Sequence, residues 1–132
     1  MSPEELLYAK THEWVLLTEE DGAKVATVGL SAFAVEALTD LVFMELPKVG
    51  TAVQPQQSIC EIESVKAVSD LYSPVEGEVI AVNETLPDQL EILSSDPFGA
   101  GWVCKIKLSG EAGLGDLMDY PAYQKACEEE AH

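Results

Sequence analysis

Ser58-Ile59-Cys60-Glu61-Ile62-Glu63-Ser64-Val65-Lys66-Ala67-Val68-Ser69-Asp70-Leu71-Tyr72 is the stretch whose reading decides the fold. Two runs of strand length flank Lys66, with Ile59, Cys60 and Ile62 before it and Val68, Leu71 and Tyr72 after it. Both carry β-branched or aromatic residues, which suit a pleated, half-buried surface. The simplest folding of residues 58–72 is a hairpin with Val65 and Lys66 at its tip. No Asn-Gly or Asp-Gly occurs here, so the turn must be of a type that accepts ordinary residues. A lysine at such a tip is a long flexible arm on a rigid base, which a modifying enzyme can recognise by shape as well as by sequence.

N-terminal to this hairpin, Leu6 to Ala9 leads into a strand over His12-Glu13-Trp14-Val15-Leu16-Leu17. A Glu19-Glu20-Asp21-Gly22 turn reverses it and Lys24 to Val28 returns antiparallel. Ser31 is a good N-cap for a short helix near 32–38, whose apolar stripe is Phe33, Ala34, Ala37 and Leu38. Asp40 to Leu46 reads as a strand stopped by Pro47. Pro47-Lys48-Val49-Gly50-Thr51-Ala52-Val53 echoes Pro74-Val75-Glu76-Gly77-Glu78-Val79-Ile80, each copy a predicted Pro-x-x-Gly turn entering a strand, as a quasi-twofold sandwich would give.

C-terminal to the hairpin, an irregular loop through Leu86 to Gln89 precedes one helical turn at Leu90 to Leu93 and a turn-rich connection from Ser94 to Gly99. Trp102 to Leu108 alternates, with Trp102, Cys104, Ile106 and Leu108 on one side and Lys105 and Lys107 on the other, which predicts a half-buried antiparallel strand. Glu111 to Met118 reads as a weak helix. Asp119 caps a final helix over about 119–129, with Tyr120, Tyr123 and Cys127 on one face. Trp14 and Trp102 are expected as core anchors, and Gly29, Gly50, Gly77 and Gly101 as turn residues. The fold class is mostly β, an antiparallel sandwich or flattened barrel with small helices.

A chain of 132 residues is one domain by length, spanning 1–132. Its net charge is -17 and all seven basic residues are lysine, which argues against nucleic acid and against an anionic membrane surface as partners. Such charge serves solubility and is compatible with steering toward basic docking faces. No apolar run approaches the roughly 18 residues of a spanning helix. Met1-Ser2-Pro3-Glu4-Glu5 resembles neither a secretory signal nor an Arg-rich transit peptide. A cytoplasmic protein is expected, or a mitochondrial-matrix one if a transit peptide has been removed.

Cys60, Cys104 and Cys127 are far apart with no C-x-x-C, so neither a metal site nor a disulfide framework is expected. Cys60 and Cys104 read as core residues and Cys127 as exposed. His12 and Glu13, adjacent in a strand, face opposite sides and form no acid–base pair. No phosphate loop or nucleophile–base pattern occurs, so no catalytic residue is expected.

Glu63-Ser64-Val65-Lys66-Ala67 resembles the lipoylation motif of the glycine cleavage system H protein family. His12-Glu13-Trp14-Val15 is similar to that family's N-terminal signature. Val28-Gly29-Leu30-Ser31, then Leu41 to Pro47, and Val49-Gly50 are similar to its middle. Ala67 to Pro74, Gly77-Glu78-Val79, Val82-Asn83, Asp96-Pro97-Phe98-Gly99 and Gly101-Trp102 follow in the family's order, so the likeness runs from about Tyr8 to Cys127. The chain departs from the family pattern at Phe33 (a histidine in some members), Ala34-Val35, Thr39 and Leu90, and none of these touches the lipoyl motif.

The resemblance implies the barrel-sandwich hybrid of lipoyl and biotinyl domains, and a non-catalytic carrier with lipoate as an amide on Lys66. It implies recognition of that site through Glu63, Ser64, Val65, Ala67 and Asp70, and a place for Glu13 near the docked arm. The implied cycle belongs to glycine catabolism and one-carbon metabolism. A pyridoxal-phosphate glycine decarboxylase (P-protein) passes the aminomethyl group of glycine to the arm. A tetrahydrofolate-dependent aminomethyltransferase (T-protein) takes it on, and dihydrolipoamide dehydrogenase (L-protein) reoxidises the arm. A lipoyl-attaching enzyme is the further implied partner. Two other readings stay open: an H-like carrier for lipoate relay or sulfur metabolism, and an unmodified acidic binding protein.

Overall fold

The computed structural model describes residues 6–9, 12–20, 22–31, 33–35, 41–65, 68–96, 98–110, 115 and 117–130. Among the described residues nine strands run in order: β1 (Leu7–Tyr8), β2 (Glu13–Glu20), β3 (Ala23–Leu30), β4 (Leu41–Glu45), β5 (Ala52–Val53), β6 (Ser58–Ser64), β7 (Val68–Tyr72), β8 (Gly77–Val82) and β9 (Cys104–Leu108). A 3-10 turn at Leu86–Asp88, a short helix α1 (Glu91–Ser95) and a longer one α2 (Tyr120–Glu130) complete the named elements. The strands pair antiparallel in two sheets, one ordered β1-β2-β3-β9-β8-β5 and one ordered β4-β6-β7.

Alternation makes each sheet apolar on one face. Val15, Ala26, Val28, Val79 and Ile106 of the larger sheet meet Met44, Cys60, Ile62 and Leu71 of the smaller in one buried cluster. The result is sandwich-like, as expected. A second cluster lies under α2, where Tyr123 stacks on Tyr8 at 4.3 Å beside Trp14 and Leu6. The start of β2 is therefore covered on both sides, with Val15 in the main core and Trp14 in the second cluster.

The echoed segments do pair with each other. Ala52 lies opposite Glu78, Val53 opposite Gly77, and the Gly50 N–H donates to the Val79 carbonyl at 2.7 Å. Their glycines do different work. Gly50 turns the chain with φ +93, whereas Gly77 sits inside β8, where a Cβ would collide with the Lys107 backbone and lie 2.9 Å from Ile106 Cγ2. Gly29 likewise sits inside β3, where a Cβ would lie 2.5 Å from the Trp14 ring. Close approach, not a turn, explains Gly29 and Gly77.

Trp102 is a further correction. It is half-buried and precedes β9, and Val103 fills the core position instead. Its ring packs beside the second cluster, with Lys105 Nζ 5.8 Å from the ring centroid. Lys105 and Lys107 alternate with buried Cys104 and Ile106 as expected, but Trp102 packs with Lys105 and not on the Cys104 side, because the alternation begins only at Cys104. Of the weak helix expected over Glu111 to Met118, residues 111–114 and 116 lie outside the described residues. Met118 itself is bridged to Tyr8 through two backbone hydrogen bonds.

Both expected helix caps form. The Ala34 N–H donates to Ser31 Oγ at 3.2 Å, and the Ala122 N–H donates to Asp119 Oδ1 at 3.0 Å. Residues 33–35 are helical, while 32 and 36–40 lie outside the described residues. Among the described residues no helix is long and apolar enough to cross a membrane.

Cys60 and Cys104 are buried, and Cys127 is half-buried against the second cluster rather than fully exposed. Burial, then the carboxylates of Glu45, Asp70 and Glu61, pushes the Cys60 thiol up to about 12. Burial, then Cys60, pushes Cys104 up to about 12. At pH 8.5 both are held as the unreactive thiol. Iodoacetamide should therefore label Cys127 alone in the native chain and all three cysteines in denaturant, with peptide mapping as the readout. Labelled Cys60 or Cys104 in the native chain would contradict their burial. The unfolded chain releases both protons near pH 9, so these thiols favour the fold below that pH and lose that contribution as pH rises toward 12.

Candidate functional site

The hairpin forms as its alternation predicts. Along β6, Cys60, Ile62 and Ser64 are buried while Glu61 is exposed and Glu63 half-buried on the outer face. Leu71 anchors β7 in the same core. Cys60 pairs with Leu71, Glu61 with Asp70, Ile62 with Ser69 and Glu63 with Val68. Glu63 and Val68 thus close the ladder, and the connection between them is residues 64–67. Lys66 and Ala67 lie outside the described residues. Val65 before them is 69% exposed and Val68 after them 62%.

The third strand adds residues that no hairpin motif contains. β4 pairs with β6 through Leu41–Ser64, Phe43–Glu63, Met44–Ile62 and Glu45–Glu61, with a bulge between Leu41 and Phe43. The bulge leaves both Val42 and Phe43 facing out, at 58% and 45% exposure, while Met44 stays in the core. Two rows therefore cross the outer face. Phe43, Glu63 and Val68 form the row nearest residues 64–67, and Glu45, Glu61 and Asp70 form the next.

Glu13 stands apart from these rows, in β2 of the larger sheet opposite Leu30. It is 1% exposed, the most deeply buried charged side chain among those described. His12 precedes the strand with φ 75. Its ring packs on Phe33 at 4.7 Å, and its Nδ1 is 2.7 Å from the Tyr123 hydroxyl. That hydroxyl is also 2.5 Å from Ser31 Oγ. Burial raises the Tyr123 phenol well above the usual tyrosine range, with the Ser31 hydrogen bond opposing, so it stays a neutral O–H. His12 is thus a latch for α2. Beside it a groove of about 300 Å³ opens between Ser31, Phe33, Phe98, Tyr120, Tyr123 and Cys127.

The sequence marked Ser31 as a cap and Tyr123 as an apolar-face residue. Their meeting with His12 spans separations of 92 and 111 residues, which local patterns do not carry. Tyr123→Phe should remove both bonds and lower unfolding stability by about 1–3 kcal/mol. Chemical denaturation would measure this, and an unchanged midpoint would mean that the latch adds nothing.

Other motif residues hold loops. Asn83 Nδ2 donates to the carbonyls of Ala100 and Trp102, each at 2.9 Å, and Asp96 Oδ2 accepts from the Ala100 N–H at 2.9 Å. Pro97 lies outside the described residues. Among the described residues no group of three His, Cys, Asp or Glu is placed to hold a metal.

Residues 6–130 match the family model described as Glycine cleavage H-protein. A glycine cleavage system H protein of Rhodopirellula baltica is 56% identical over 127 residues, covering 96% of each chain. One of Thermotoga maritima is 45% identical over 93% of this chain and 96% of its own. The crystal structure of a glycine cleavage system H protein from Mycobacterium marinum superposes with a TM-score of 0.83 at 35% identity, covering 94% of this chain and 97% of that one.

Proposed function

This chain belongs to the glycine cleavage H-protein family, and from that membership we propose that it is the lipoyl carrier of a glycine cleavage system, one carrier domain spanning residues 1–132 and working in the cytoplasm. The observation that carries the reading is the closed register of β6 and β7. Glu63 faces Val68, so the motif's Lys66 falls in the connection between two strands anchored by Ile62 and Leu71, with exposed Val65 and Val68 on either side.

Those flanks fit a covalently attached lipoyl group, because a bulky arm needs an approach that no packed element closes. When attached, the lipoyl group supplies a redox-active disulfide on a long tether. The chain supplies the rest. β6 and β7 fix the base of the arm. Glu63, Ser64, Val65, Ala67 and Asp70 mark Lys66 for modification. Glu13, a buried carboxylate, is a polar contact for the arm at rest. The chain serves no catalysis of its own. Its proposed partners are the P-protein, T-protein and L-protein, together with the enzyme that attaches lipoate.

The test is a mass measurement on the intact carrier. Lipoylated protein is mixed with glycine and an active glycine decarboxylase from the same host, and Lys66 peptides are weighed before and after. Gain of one aminomethyl unit on the lipoyl mass is the expected result. A lipoyl mass that never changes would move the chain to lipoate relay, and a bare lysine after exposure to a competent ligase would overturn the carrier reading.

A further inference from the structure

Resting on the reading of Glu13 as the polar contact of the arm, we propose that His12 is a positioning residue, whose left-handed backbone aims the Glu13 carboxylate into the fold and is itself held in place by α2. His12 has φ 75. L-residues enter this region at a cost, and a β-branched side chain there is an outlier. Among the described residues only His12 and Gln56 combine a side chain with a positive φ, and Gln56 lies in an exposed turn. A strained residue persists only where its surroundings over-determine it, and such residues cluster at functional places.

The surroundings of His12 do this from two sides. Its N–H donates to the Ala9 carbonyl and the Ala9 N–H donates to the Glu13 carbonyl, each at 2.9 Å. Its own carbonyl accepts from the Ser31 N–H at 3.0 Å. These bonds close the backbone around His12 just where the β2–β3 ladder begins, at Glu13 opposite Leu30. The ring is clamped separately, by Phe33 below it and by the Tyr123 hydroxyl of α2.

Alternation puts Glu13 on the face of Val15, which lies in the main core, while Trp14 takes the other face under α2. Burying a carboxylate is costly. The first residue of a strand entered through ordinary extended backbone is free to turn its side chain out to water. A left-handed residue just before it fixes the direction of entry. Strain at His12 and burial at Glu13 are therefore two parts of one arrangement. The apolar core gains nothing from either, since Val15 and Leu30 fill it without them.

The test compares His12→Gly with His12→Val. Both lose the ring and its contacts, and only the second opposes φ 75. In the full chain without lipoate, NMR with a soluble gadolinium chelate should find the Glu13 side chain shielded in the wild type and in His12→Gly. In His12→Val its signals should broaden, while the methyls of Ile62 and Leu71 stay shielded as the mark of an intact core. In the lipoylated chain loaded with the aminomethyl unit, His12→Val should lose that unit to water about tenfold faster than the wild type, and His12→Gly within about twofold of it. Combined with Glu13→Gln, His12→Val should add no further loss, because the carboxylate it positions is already gone. His12→Ala, a milder opponent of φ 75, takes the place of a His12→Val chain that does not fold, with about a threefold effect in the same direction. Equal behaviour of the glycine and valine or alanine variants, or an additive double variant, overturns the role of His12 and leaves the carrier reading standing. A wild-type chain that holds the aminomethyl unit no longer than Glu13→Gln does overturns the arm contact and this inference with it. A chain that takes no lipoyl group overturns the carrier reading, and the gadolinium measurement still decides whether His12 aims Glu13.

Discussion

A Lys66→Arg chain is expected to fold like the wild type and to carry no lipoyl group at all. The substitution keeps the positive charge, and its neighbour Val65 is among the most exposed apolar residues of the chain. Surface changes of this kind move stability by no more than about 0.5 kcal/mol. Chemistry is lost because acyl transfer needs a neutral amine with a free electron pair. A guanidinium keeps its proton at any working pH and its lone pairs are delocalised. Intact-mass analysis after ligase treatment should show no added lipoyl mass, and glycine turnover with the partner enzymes should fall to background. A lipoyl mass on any of the six remaining lysines, seven less one, would show that the site is not Lys66. Residual turnover would show that the chain is not a covalent carrier.

Gly77→Ala should be the most damaging single methyl among the described glycines. Gly77 is held between Val53 of β5 and Leu108 of β9. A Cβ there would stand 2.8 Å from the Lys107 carbonyl carbon and closer still to its oxygen. The obstacle is backbone, so no rotamer relieves it, and β8 must separate from β9. The expected loss is about 3–5 kcal/mol, at the upper end for a single substitution. Thermal or denaturant unfolding would measure it. Gly50→Ala is the control, since nothing lies within 4 Å of its Cβ and only φ +93 opposes it; it should cost about 1–3 kcal/mol. A Gly77→Ala chain as stable as the Gly50→Ala chain would refute the close-approach account.

The contrast between these glycines shows what was legible in the sequence. Alternation at Cys60, Ile62 and Leu71 gave the lysine hairpin its register, because one buried face fixes every pairing. The same pattern misled at Trp102, where the alternation was extended two residues beyond the start of β9. Glycine has two structural uses, a turn and a close approach, and spacing alone does not separate them. Gly29 was read as a turn when it makes room for the Trp14 ring. The proposed lipoylation motif is a local pattern and so can be read from the sequence. Phe43 and Glu45 come beside Glu63 and Glu61 only through the pairing of β4 with β6, and the bulge that exposes Phe43 leaves no mark in residue type. Tyr123 carried no sign of its bond to His12 for the same reason.

The rims of the larger sheet carry one more meaning. Its outer strands, β1 and β5, are two residues each, and Met118 occupies the open side of Tyr8. The smaller sheet ends in β4, broken by its bulge, and in β7, where Asp70 is exposed. Long flat edges invite a second copy to add its own strand, and short, kinked or charged ones resist it. With a net charge of -17 repelling its own kind, this chain can be crowded without knitting into fibrils. The proposed carrier role, in which one chain meets several enzymes in turn, would draw on that resistance.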